Sequence, residues 1–144
     1  MTNGNLSKIE EYVLTKLKSS KDTSHGWGHI SRVRENALKI VNYLKINDMD
    51  LNLLQACCLL HDLCYTEFTT GSPYIYFFET KETVKILLRD RLDHLSFINE
   101  ADWQIILEAV KVHSLSFPLR QLNKRRNYYC KILQDADTLD FYHE

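Results

Sequence analysis

The sequence predicts an all-α fold, a single compact bundle of five to six helices, and three observations carry that expectation. The 144 residues include only 4 Gly and 2 Pro, too few turn formers for the many tight connections of an all-β fold. Apolar residues recur at helical spacing in several separate segments. The stretch from Leu51 to about Cys64 is apolar nearly all round, which suits a central helix covered on most sides. One core at this length buries roughly two-thirds of the unfolded surface. With no repeat or linker in view, residues 1–144 read as one domain.

The elements follow in order. Leu6, Ile9, Val13, Leu14 and Leu17 mark a first helix over 5–19, broken by the stretch Lys21 to Gly28 with its two glycines. Ile30, Val33, Ala37, Ile40, Val41 and Leu44 form the stripe of the second, which Asn47-Asp48 closes. The apolar segment Leu51 to Cys64 is the third, followed by a loop containing Gly71-Ser72-Pro73. A helix over 76–91 runs through Phe77, Thr80, Val84, Leu87 and Leu88. Another covers 100–113 with Ala101, Ile105, Ala109 and Val110 or Val112 inward, and Pro118 ends that region. The last covers about 127–141, with Tyr128, Ile132, Leu133, Ala136 and Leu139 on its buried side.

Charge narrows the partners. Lys plus Arg (18) against Asp plus Glu (19) leaves a net charge of -1, so no global positive field holds nucleic acid, and no stable nucleic-acid partner is expected. The run Lys124-Arg125-Arg126 reads as a solvated loop or, locally, as a phosphate contact. Cys57, Cys58, Cys64 and Cys130 follow no zinc-finger spacing and are expected reduced, which fits a cytoplasmic protein. No apolar run approaches the roughly 18 residues that span a bilayer, and no signal peptide opens the chain, so no membrane partner is expected.

Chemistry enters where polar residues interrupt apolar helices. His61-Asp62 follows directly on Ala56-Cys57-Cys58-Leu59-Leu60, and Asp is rarely buried unless paired or bound to a metal. On a helix the two side chains diverge by about 100° and could hold one ion from two directions. A helix end reaching solvent explains the pair alone about as well. His29 shares the inward face of Val33, and Asp137 lies four residues after Leu133. Two imidazoles and two carboxylates from three helices form a mixed N/O set, suited to Mn, Fe, Mg, Co or Zn.

These residues resemble a known pattern. His29-Ile30-Ser31-Arg32-Val33, then Leu59-Leu60-His61-Asp62-Leu63, then Gln134 to Asp140 resemble the H…HD…D series of the HD-domain superfamily of metal-dependent phosphohydrolases. The bacterial branch opening Ser-His-x-Trp-x-His-x-x-Arg-Val and closing Asp-Ala-Asp-x-Leu-Asp is the most similar, here Ser24 to Val33 and Asp135 to Asp140. Val112-His113-Ser114 matches a His-Ser pair common in that branch. The resemblance covers about 22–141. It implies one divalent ion (Mn, Mg, Fe, Co, Ni or Zn) on His29, His61, Asp62 and Asp137, with Asp140 a hydrogen-bond partner for a ligand imidazole. His25 is a competing ligand, or a substrate contact. Phe77-Phe78-Glu79 stands where relatives often carry a His, so no second metal is expected. Relatives usually continue beyond the residues matching 137–144, so the chain reads as a shortened member or a piece of a longer one. Tyr128, Tyr129, Phe141 and Tyr142 would then close the gap or face a second subunit of a homodimer.

The reading that results is an enzyme hydrolysing a small phosphorylated metabolite, a nucleotide or deoxynucleotide in first place, by attack of a metal-activated water. Asp62 would anchor the ion and accept a proton, and Glu67 is the further candidate base or acid, against a solvated loop carboxylate. Arg32, one turn on from His29, is a phosphate clamp or a structural partner for Asp62 or Asp140. His113 is a phosphate donor or a core histidine, and Trp27 a base-stacking or core-capping ring. A silent HD-fold module binding nucleotide or metal is the first alternative. A hydrolase of guanosine 3′-pyrophosphates is the second, disfavoured because Leu63-Cys64-Tyr65-Thr66-Glu67-Phe68 lacks the Glu-Asp pair of such enzymes.

Overall fold

Thr2, Asp50 and Asn99 begin three helices, each accepting the hydrogen of an amide that a helix start leaves without a partner. The structure, a computed structural model, describes residues 1–20, 22, 24–68, 73–113 and 124–142. Helices α1 (Asn3–Leu17), α2 (Trp27–Tyr43), α3 (Leu51–Leu60), α4 (Pro73–Asp90), α5 (Glu100–Val112) and α6 (Lys124–Phe141) form the bundle, and a 3-10 turn spans Leu63–Thr66. Among the described residues there is no strand. The all-α expectation holds.

Helix α3 occupies the centre, touching α1, α2, α5 and α6, while α2 packs along α6. Leu53, Leu54, Ala56, Cys57, Cys58, Leu59 and Leu60 are all fully buried there, as an all-round apolar helix requires. The four cysteines are buried and reduced. Burial pushes the Cys58 thiol up to about 12, so it packs as a small hydrophobe.

Several boundaries differ from the sequence expectation, each for a physical reason. The third helix stops at Leu60 rather than Cys64. Asp62 leaves helical geometry at φ -114° and ψ 27°, and the apolar run continues only because the 3-10 turn is buried as well. Helix α4 starts at Pro73 rather than 76, a position where the missing amide costs no helical hydrogen bond. Helix α6 starts at Lys124, so Lys124-Arg125-Arg126 is helical rather than a loop. Tyr128 and Leu139, expected inward, are 42% and 45% exposed. The inward side of α6 carries Tyr129, Leu133 and Ala136, and the polar Asp140 is buried with them. The expected Gly71-Ser72 loop, Ser114 and Pro118 lie outside the described residues.

A buried carboxylate joins α1 to the end of α4. Asp90 accepts from the Tyr12 hydroxyl at 2.7 Å and pairs with Lys16 at 2.6 Å and Arg89 at 2.7 Å. Burial opposes its charge, but these donors outweigh that and hold the carboxyl well below its usual range. No helix among the described residues is long and apolar enough to cross a membrane.

Candidate metal centre

The end of α3, the first turn of α2 and the last turns of α6 bring four side chains close together. His61 caps the C-terminus of α3, where the last carbonyls have no amide to bond. Its Nδ1 donates to the Cys58 carbonyl at 2.7 Å, which turns Nε2 inward. Asp62 follows outside the helix, so the divergence of the pair comes from this break rather than from helical rotation. His29 lies on the first turn of α2 and Asp137 on the last turns of α6.

The separations are those of a coordination shell. His29 Nε2 lies 3.3 Å from His61 Nε2, 3.3 Å from Asp62 Oδ2 and 3.4 Å from Asp137 Oδ1. His61 Nε2 lies 3.4 Å from Asp62 Oδ2 and 3.6 Å from Asp137 Oδ1. Neighbouring ligand atoms on metal–ligand arms of about 2.1 Å stand roughly 3.0–3.4 Å apart. His29, His61 and Asp137 form a set whose ligand atoms all lie within 4.8 Å of one another, and Asp62 joins it through the two imidazoles. Both outer nitrogens are committed elsewhere, since His29 Nδ1 donates to Asp140 Oδ2 at 2.8 Å. Each ring therefore presents Nε2 to the common point in the tautomer that a metal needs. The residues fit a divalent ion.

Electrostatics agree with that geometry. Burial alone would lower His61, but Asp62 and Asp137 outweigh it and hold the imidazole up at about 10. Burial would raise Asp62, yet His61, His29 and His113 drive it far below its usual range. Asp137 is lowered against its burial by His61. Two imidazoles and two carboxylates thus balance one another, and a cation would replace the shared protons.

The remaining candidates separate. Arg32 is half exposed and turns its fork onto Asp140, with Nε to Oδ1 at 2.6 Å and Nη2 to Oδ2 at 3.0 Å. Of its two expected roles, the geometry shows the structural partner. A Cβ at Gly28 would come within 3.3 Å of Arg32 Nη1, so the glycine leaves room for this arm. His113 caps α5 as His61 caps α3, its Nδ1 donating to the Val110 carbonyl at 2.6 Å. Its Nε2 is 3.7 Å from Asp62 Oδ1 and its ring meets His61 edge-on. His25 packs edge-on against His29 with centroids 5.5 Å apart. Trp27 is partly buried against the core with Arg34 over its ring.

Glu67, the further candidate base or acid, lies in an ion pair. Its oxygens bond Arg89 Nη2 at 2.5 Å and Nη1 at 3.2 Å, with Lys16 at 3.8 Å. Arg89 holds the carboxyl below its usual range. A base must be free to take a proton, and this one is committed to an ion pair beside Asp90.

Sequence reasoning passed over Tyr65 and Glu79 as site residues. The Tyr65 hydroxyl donates to Glu79 Oε2 at 2.9 Å. Burial, then the charge of Asp62, raises the Glu79 carboxyl above its usual range. A signal existed, because Glu79 stands four residues from the buried Ile75 and Thr83 on one helix face.

Six helices around two imidazoles and two carboxylates define a helical domain with a candidate metal site. The HD domain family model matches residues 26–142, and the chain belongs to that family. No match was found among curated proteins or among solved structures. HD domains bind divalent metals and are generally metal-dependent hydrolases, although some are inactive.

Proposed function

We propose that the protein is a metal-dependent phosphohydrolase acting on a small phosphorylated metabolite, a nucleotide or deoxynucleotide in first place. His29, His61, Asp62 and Asp137 would hold one divalent ion. The observation that carries this reading is the spacing of their four inward atoms, 3.3–3.6 Å in the five separations above. When bound, the ion would acidify a water and polarise a phosphoryl oxygen.

The chain's own groups do the rest. Asp140, held by Arg32, fixes the His29 ring, and the Cys58 carbonyl fixes that of His61. Asp62 Oδ2 faces the two imidazoles while its Oδ1 lies toward His113. That second oxygen would take a proton from the attacking water. His113 Nε2, on the same side, would hold a phosphoryl oxygen or the leaving group. Water adds to phosphorus, the ester oxygen departs with a proton, and free phosphate remains.

The test is purified protein with Mn, Mg, Co or Ni against a panel of nucleotides and simpler phosphomonoesters. Metal-dependent phosphate release is expected. Metal bound at the four residues without release from any substrate would overturn the enzyme reading and favour a silent binding module.

A further inference from the structure

We propose that His25, stacked on Tyr65 beside the metal centre, is the platform on which the planar base of a nucleotide substrate rests. The inference deepens the nucleotide reading above and rests on it. His25 and Tyr65 lie nearly parallel, 6° apart with ring centroids at 3.7 Å. Tyr65 is 5% exposed and covers one face of the imidazole. The His25 side chain keeps 29% of its surface open, and its edge abuts the metal-side ring of His29. A flat aromatic surface one ring away from a phosphate site is what a base attached to that phosphate needs. Trp27 does not offer it, because Arg34 lies over its ring.

The platform is built from four parts of the chain. Glu79 on α4 accepts from the Tyr65 hydroxyl at 2.9 Å, and Ser20 donates to the Tyr65 carbonyl at 2.8 Å. The buried Asp22 accepts from the amides of Ser24 and His25 at 2.9 Å each. Its Oδ1 is also 3.5 Å from His25 Nδ1. Tyr65 and Glu79 are therefore positioning residues: they fix the tyrosine ring, and the ring fixes the imidazole. So much ordering around one partly open side chain is unexplained by core packing alone.

The experiment compares calorimetric binding of the 5′-thiophosphates of adenosine and of ribose to the manganese-loaded protein. His25→Ala should weaken the adenosine compound roughly 10-fold, within what base–aromatic stacking supplies, and leave the ribose compound nearly unchanged. His25→Phe should restore the difference. Tyr65→Phe should cost the adenosine compound a few-fold while Glu79→Gln, which still accepts from the hydroxyl, keeps it. Equal weakening of both ligands by His25→Ala, or of neither, would overturn the platform. Wild-type protein that binds both alike would overturn it too, while leaving the phosphate site standing. Failure of wild-type protein to bind either would overturn both readings together.

Discussion

His29 and Asp140 stand 111 residues apart in sequence and 2.8 Å apart in space, joined from Nδ1 to Oδ2. Arg32, one turn along α2, grips the same carboxylate with two nitrogens. Asp140 is thereby the hinge pin between the two helices that carry His29 and Asp137. Burial would raise its carboxyl, but Arg32 and then His29 hold it below its usual range.

Asp140→Asn should weaken metal binding by about 10–100-fold without removing any metal-facing atom, because the ring of His29 loses its charged acceptor. Competition with a metal-sensitive chelating dye reads this directly. Unchanged affinity would mean that Asp140 serves α2–α6 packing alone.

His61→Ala and Asp62→Ala should each abolish metal occupancy and turnover together. Both positions are buried, so folding is checked by circular dichroism alongside elemental analysis. Full metal content in either variant would contradict the ligand assignment.

Metal uptake should release protons at neutral pH. The metal-free His61 titrates near 10, above its ordinary 6.5. A raised imidazole stabilises the fold fully below pH 6.5 and loses that contribution as pH climbs toward 10. The ion needs the ring neutral, so its affinity should rise with pH over the same window, up to about tenfold per unit for each proton displaced. Calorimetry in two buffers of different ionisation heat counts the protons. No proton release at pH 7.5 would refute the coupling.

Glu67→Gln should leave turnover within about twofold, where loss of a general acid or base costs 10²–10⁴-fold. Glu67 and Arg89 are 36% and 53% exposed, so the stability cost should stay under about 1 kcal/mol. A hundredfold drop in kcat with normal metal content would restore Glu67 to the chemistry.

Asp90→Asn should lower stability by about 2 kcal/mol, since Tyr12 and Lys16 lose their charged acceptor in a buried site. Because the carboxyl is depressed, its contribution is present at neutral pH and is lost as acid protonates it, so the wild type should shed this advantage first on acidification. Thermal melts across pH test both statements, with metal content unchanged.

The fold class, and the four residues that the candidate site brings together, were legible in the chain because they rest on local rules. Helical periodicity, scarce turn formers and polar residues set into apolar stripes are all properties of neighbours along one element. The apolar all-round segment containing Leu53 to Leu60 had to be central, and it is. What only tertiary structure decided were choices between partners. Arg32 could reach a phosphate or a carboxylate, and the approach of α6 gave it Asp140. Glu67 looked like a base by its distance from Asp62, until the packing of α4 supplied Arg89. Tyr65 and Glu79 stayed hidden because their meeting depends on how the 3-10 turn lies against α4. Periodicity tells a side chain which way to face, but pairing energies fall off within a few ångströms, and only the folded chain sets those distances.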